Sequence, residues 1–191
     1  MPNIKTLLAL SLLIFLTACG SKLPWASDER VQKATYFHGG TPSITLLTVI
    51  NNKSGSGGHT ALVVNASERL IYDPAGSFYN IAAPERADIL HGITPDMLNL
   101  YLNYHARSDF HVVMQTKNLS AKDAEIVLRT AKNHGASASG FCSVNSSQII
   151  ASIPGLGNFP TSFYPVKTMK AFARLSGVTT RRIYQDDVGK N

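Results

Sequence analysis

The feature that most constrains how this chain folds is a hairpin. Residues 60–64 and 69–72 are short runs rich in β-branched and aliphatic side chains, set either side of Asn65-Ala66-Ser67-Glu68. Asp73-Pro74-Ala75-Gly76 closes the second run, because Pro74 cannot donate to a ladder and Gly76 frees the turn. A three-residue loop would set Val64 opposite Glu68 and His59 opposite Asp73. Residues 43–51 (SITLLTVIN), 110–115 and 178–184 read as further strands. Residues 84–105 read as helical, with Thr94 as cap and Pro95 in the first turn. Ser120 with Asp123 opens a helix that runs to about residue 133 before Gly135. Another starts at Cys142 and stops at Pro154-Gly155, and a last one covers residues 166–175. Strands and helices come in clusters rather than in strict alternation, which predicts an α+β fold with an antiparallel sheet packed against helices.

Cys142 follows Ser139-Gly140-Phe141, so its sulfur sits at the start of a helix. Free N–H groups and the dipole there favour thiolate over thiol. The thiolate is the nucleophile of cysteine enzymes. The competing reading is a buried structural cysteine.

The chain's only other cysteine is Cys19, in Leu16-Thr17-Ala18-Cys19 at the end of an apolar run that begins after Lys5. A basic start, a short apolar stretch and small residues before the cut make residues 1–18 a secretory signal. Leu-Thr-Ala-Cys resembles the bacterial lipobox, whose cysteine carries lipid. Gly20 follows with no Asp, which by resemblance to sorted lipoproteins implies the outer membrane, with the protein facing the periplasm. Residues 19–35 then read as a lipidated tether of about 15 residues, able to span ~50 Å when extended, and residues 36–191 as one domain. With Cys19 lipidated, Cys142 has no disulfide partner, although the compartment is oxidising.

The net charge of +6 is spread along the chain with no basic stripe interleaved with aromatics, which argues against a nucleic-acid partner. No histidine shows metal-ligand spacing, so neither a metal nor another cofactor is expected. The glycine-rich 54–58 segment lacks the continuation of a phosphate loop, and no Gly-x-Ser-x-Gly elbow is present.

A cysteine nucleophile needs a base, and the base needs an orienting group. His59 follows Gly57-Gly58 at the opening of the hairpin, and hairpin spacing offers it Asp73. Each has a plain alternative, a surface histidine and simple turn chemistry. Together with Cys142 they form a candidate catalytic set of Cys142, His59 and Asp73. His111 is the runner-up base. His91, His105 and His134 read as surface or core-edge residues.

With GGHTALVV, LIYDPAG, NLSAKDAEIVLRTA and GFCSVNSSQII in that order, residues 43–184 resemble the circularly permuted NlpC-type papain-like hydrolases. That group includes the lecithin:retinol acyltransferase-like enzymes. The resemblance implies Cys142 as nucleophile, His59 as base and Asp73 as orienting residue. The acyltransferase branch typically has histidine third and an Asn-Cys-Glu-type box. Asp73 and Phe-Cys-Ser depart from it and lean toward the bacterial amidases and peptidases. The expected function is hydrolysis of an amide bond, with the peptide part of peptidoglycan as candidate substrate and the membrane engaged through lipid on Cys19. The alternatives are lipid acyl transfer, using an apolar groove near Phe159, Phe163 and Tyr164, and a non-catalytic wall-binding lipoprotein.

Overall fold

The computed structural model describes residues 25–185. Cys19, the expected lipidation site, lies outside the described residues. Seven strands form one antiparallel sheet in the order β4-β5-β3-β2-β1-β6-β7. They are β1 Ser43–Asn51, β2 Gly57–Asn65, β3 Arg69–Tyr72, β4 Glu85–Arg86, β5 Ile89–Leu90, β6 Phe110–Asn118 and β7 Val178–Ile183. The helices are α1 Asp28–Ala34, α2 Pro95–His105, α3 Ala121–His134, α4 Cys142–Ala151 and α5 Pro165–Phe172. The architecture is α+β.

Helices cover both faces of the sheet, which is why β1 is buried without a break from Ile44 to Ile50 and does not alternate. On one face Ile44, Leu46, Leu62, Val64 and Tyr72 pack against Val127 and Leu128 of α3, Ile149 and Ile150 of α4, and Phe172 of α5. On the other, Leu47, Val49, Ala61, Val63 and Ile71 pack against Met97, Tyr101 and Leu102 of α2. Each such aliphatic side chain contributes about 1.5–3 kcal/mol by leaving water. The caps hold as the sequence implies. The Thr94 side chain accepts from Met97 N–H and the Ser120 side chain from Asp123 N–H.

Two expectations give way. Residues 84–94 are not helical. Glu85–Arg86 and Ile89–Leu90 pair with each other, and β5 extends the sheet beyond β3. The connecting Ala87 and Asp88 both have positive φ, as a tight two-residue hairpin turn requires, without the Gly or Asn that normally announces one. His91, expected near the surface, is buried beside this hairpin with its Nδ1 2.5 Å from Glu68 Oε1, and Lys132 also binds that carboxylate.

The second concerns the tether. Residues 28–34 form α1, capped by Ser27. Ala26 N–H donates to the Glu85 carbonyl at 2.8 Å, and Arg86 pairs with Asp28. From Trp25 on, the stretch expected as spacer is therefore part of the folded body.

Candidate active site

The hairpin closes later than the expected register. Asn65 pairs with Arg69 and Val64 with Leu70, a shift of two residues. Because side chains alternate with a period of two, an even shift leaves each on its original face. His59 and Asp73 become diagonal neighbours rather than direct partners, and the His59 ring still reaches the carboxylate. His59 Nε2 lies 2.7 Å from Asp73 Oδ1. The Cys142 thiol hydrogen-bonds the same ring. The three residues singled out in the sequence thus meet at one end of the sheet.

Gly58 sits at a break in the β1–β2 register, where Val49 pairs with His59 but Ile50 pairs with Gly57. A bulge of this kind re-aims the adjacent side chain. Gly57 answers a packing constraint. A Cβ there would lie 2.5 Å from Pro165 Cβ, so the backbone of β2 lies directly against the start of α5.

Cys142 opens α4 behind Phe141, an N-cap residue with no side-chain oxygen to offer. The sulfur takes that role instead, accepting from the backbone N–H groups of Ser143 and Thr60. Burial by itself would raise the thiol's pKa. The His59 hydrogen bond and charge, together with these two N–H groups, outweigh burial and bring it below the ordinary value. Burial likewise works to strip the His59 ring of its proton, but the bonds and charges of Asp73 and Cys142 hold its pKa well above normal. Asp73 is almost wholly buried, which would raise its pKa. The hydrogen bond and charge of His59 and the hydrogen bond from Tyr101 keep it low instead. The three directions are mutually consistent and describe a thiolate–imidazolium pair backed by a carboxylate.

Sequence reasoning passed over several residues that build this site. Tyr101, buried on α2, donates its hydroxyl to Asp73 Oδ1 at 2.6 Å. His105, one turn further on, stacks on His59 with ring centroids 5.6 Å apart. Burial pushes its pKa down to about 4, so it is a neutral ring against a charged one. Asp88 joins the two halves of the site. Its carbonyl accepts from Asp73 N–H at 2.8 Å, and its Oδ2 accepts from Ala75 N–H at 2.8 Å and Ser137 N–H at 2.7 Å. The turn that carries the carboxylate and the loop that leads to Cys142 are thereby tied to one buried side chain. Ala75 needs that support, since its φ of 54° is unfavourable for a non-glycine residue. The i to i+4 spacing of Tyr101 and His105 was the one available signal, and it shows only that they share a helix face.

His111 is elsewhere, with Nδ1 2.7 Å from Asn52 Oδ1 and its ring stacked on Tyr184. His134 binds Tyr72 and Gln148. Among the described residues, no group of three His, Cys, Asp or Glu side chains is placed to hold a metal ion. Phe159 is buried in the core, whereas Phe141, Phe163 and Tyr164 are exposed. Phe141 and Phe163 meet edge to face at 5.2 Å, immediately beside Cys142.

A pocket of about 340 Å³ opens on the other side, against His59. Val49, Ala75, Tyr104, His105, Arg107 and Phe110 form much of its wall; Cys142 does not line it. Comparison with protein-family models, curated proteins and solved structures finds no match to this chain.

Proposed function

We propose that this protein is a cell-envelope cysteine hydrolase that cleaves an amide bond, with a permuted papain-like arrangement of Cys142, His59 and Asp73. The observation that carries the reading is the unbroken chain from the Asp73 carboxylate through His59 Nε2 to the thiol at the start of α4. The thiolate attacks the amide carbonyl and forms a C–S bond. Backbone N–H groups at the helix start receive the developing oxyanion. The imidazolium gives its proton to the departing nitrogen as the C–N bond breaks. Water then attacks the thioester, losing a proton to the ring, and returns the thiolate. Asp73 holds the ring with Nδ1 toward the sulfur throughout.

Lipid on Cys19 would place the domain at the outer membrane facing the periplasm, where the peptides of peptidoglycan are the natural amide substrates. A second reading, acyl transfer from membrane lipid by the same thiolate, is favoured by the exposed aromatics Phe141 and Phe163 beside the nucleophile. Digestion of purified wall and of phospholipid vesicles with wild type and Cys142→Ser separates the two. Amines newly freed from wall, absent with Cys142→Ser, support the amidase. Acyl release from vesicles alone supports the second reading, and activity that survives Cys142→Ser removes both.

A further inference from the structure

The pocket against His59 holds one fixed positive charge, and its chemistry narrows the substrate. Among the described residues, Arg107 lines it, while no Asp or Glu does. Among the described residues no ion pair involves Arg107; Asp109, two residues on, lies 3.9 Å from Lys53. The guanidinium is nonetheless held in place. Its Nε donates to the Tyr104 carbonyl at 2.7 Å, and its Cζ lies 4.5 Å from the centre of the Tyr104 ring. The Tyr104 hydroxyl is in turn fixed to Ser77, at 3.0 Å from its Oγ. With Nε used, the two terminal nitrogens remain to grip a planar anion side by side. Val49, Ala75 and Phe110 make the rest of the wall largely apolar. Its size falls at the small end of pockets that take small ligands.

The position of the pocket says which half of the substrate it receives. Its wall contains His59 but not Cys142. In amide cleavage the acyl carbon bonds to the sulfur, while the departing nitrogen must lie at the imidazolium that protonates it. What lies beyond His59 is therefore the amine half.

We infer that the pocket binds the leaving group of the amide, and that this group is an amino acid or short peptide whose carboxylate is held by Arg107. This deepens the hydrolase reading and rests on it. The bond cleaved is then one near a free carboxylate, as in a carboxypeptidase-like reaction. The C–N bond is exchanged for a C–S bond, the nitrogen takes the His59 proton, and the amine leaves with its carboxylate unchanged.

The test uses haloacetyl probes, in which Cys142 displaces the halide, carrying tails of one to four methylenes that end in either a carboxylate or a primary carboxamide. The folded protein is alkylated with each, and modification at Cys142 is read by mass spectrometry. The acid-to-amide rate ratio is expected to reach about tenfold at one tail length and to fall off on either side of it. Arg107→Gln should bring that ratio close to one, Arg107→Lys should keep part of it, and Arg129→Ala on α3 should leave it unchanged. Because Arg107 is exposed, its variants should fold, and thermal melting checks this. A ratio near one at every length in the wild type, or an equal preference in Arg107→Gln, overturns the inference while leaving the reactive thiolate intact. Failure of every probe to modify Cys142 without denaturant instead removes the hydrolase reading, and this inference with it.

Discussion

Adding a single methyl group at Gly76 should disable the site with Cys142, His59 and Asp73 all left in the sequence. A Cβ on Gly76 would lie 1.9 Å from Asp73 Oδ2 and 2.2 Å from its Cγ, far inside any tolerable contact. The carboxylate has little freedom to yield, since Oδ1 is bound at 2.7 Å by His59 and at 2.6 Å by Tyr101. Each bond to a charged group is worth about 1.5–3 kcal/mol, so losing both puts roughly 3–6 kcal/mol at stake. Movement of the turn can spare part of this, and about 2 kcal/mol is a reasonable net cost. At about 2–4 °C per kcal/mol for a chain of this size, Gly76→Ala should melt roughly 4–8 °C lower. Freed from its carboxylate, the His59 ring loses both its fixed tautomer and the support for its positive charge. Turnover should fall by about 10²–10⁴. Differential melting and the pH profile of Cys142 alkylation read the two effects separately, and thiolate formation should shift to higher pH. A Gly76→Ala protein with wild-type melting and a wild-type alkylation profile would refute the placement of the Asp73 carboxylate, and the orienting role built on it.

Asp73→Asn keeps a hydrogen-bonding group but no charge, so turnover should drop yet stay measurable; full activity would remove Asp73 from the site. Tyr101→Phe takes away one donor from a buried carboxylate and should raise the Asp73 pKa. The expected loss is about 1.5–3 kcal/mol in chemical denaturation, and an unchanged midpoint would contradict the bond. His59 gives a signed pH dependence, best measured in Cys142→Ser so that the thiol does not titrate alongside it. Its folded pKa is raised by Asp73 despite burial, so the stability it contributes is fully present below the unfolded value of about 6.5 and is lost as pH rises toward the folded value. Denaturation midpoints should therefore decline on the alkaline side, and His59→Gln in the same background should flatten that decline. Cys19→Ala should release the protein from the membrane fraction, where recovery at the wild-type level would count against lipidation.

The sequence by itself determined what short-range physics encodes. The β-branched stretch of β1, the Ser120 and Thr94 caps, the Gly135 stop and the helix start at Cys142 are each written within a few neighbouring residues, and each appears where the local pattern puts it. The closeness of His59 to Asp73 was legible for the same reason, and survived a wrong register because side-chain alternation tolerates an even shift. The folded structure alone decided the rest. Ala87 and Asp88 carry no turn signature, yet pairing with β3 draws residues 85–90 into the sheet and overrides their helical reading. That same turn buries Asp88 where it binds both the Asp73 turn and the loop before Cys142, a link across 49 residues that no local spacing announces. Tyr101 and His105 reach the site because α2 packs across the sheet face to which His59 points. Helical periodicity can place such residues on one face of α2. It carries no information about which strand that face will meet, because inter-element packing is set by the summed burial of distant apolar side chains and not by the residues that come to perform the chemistry.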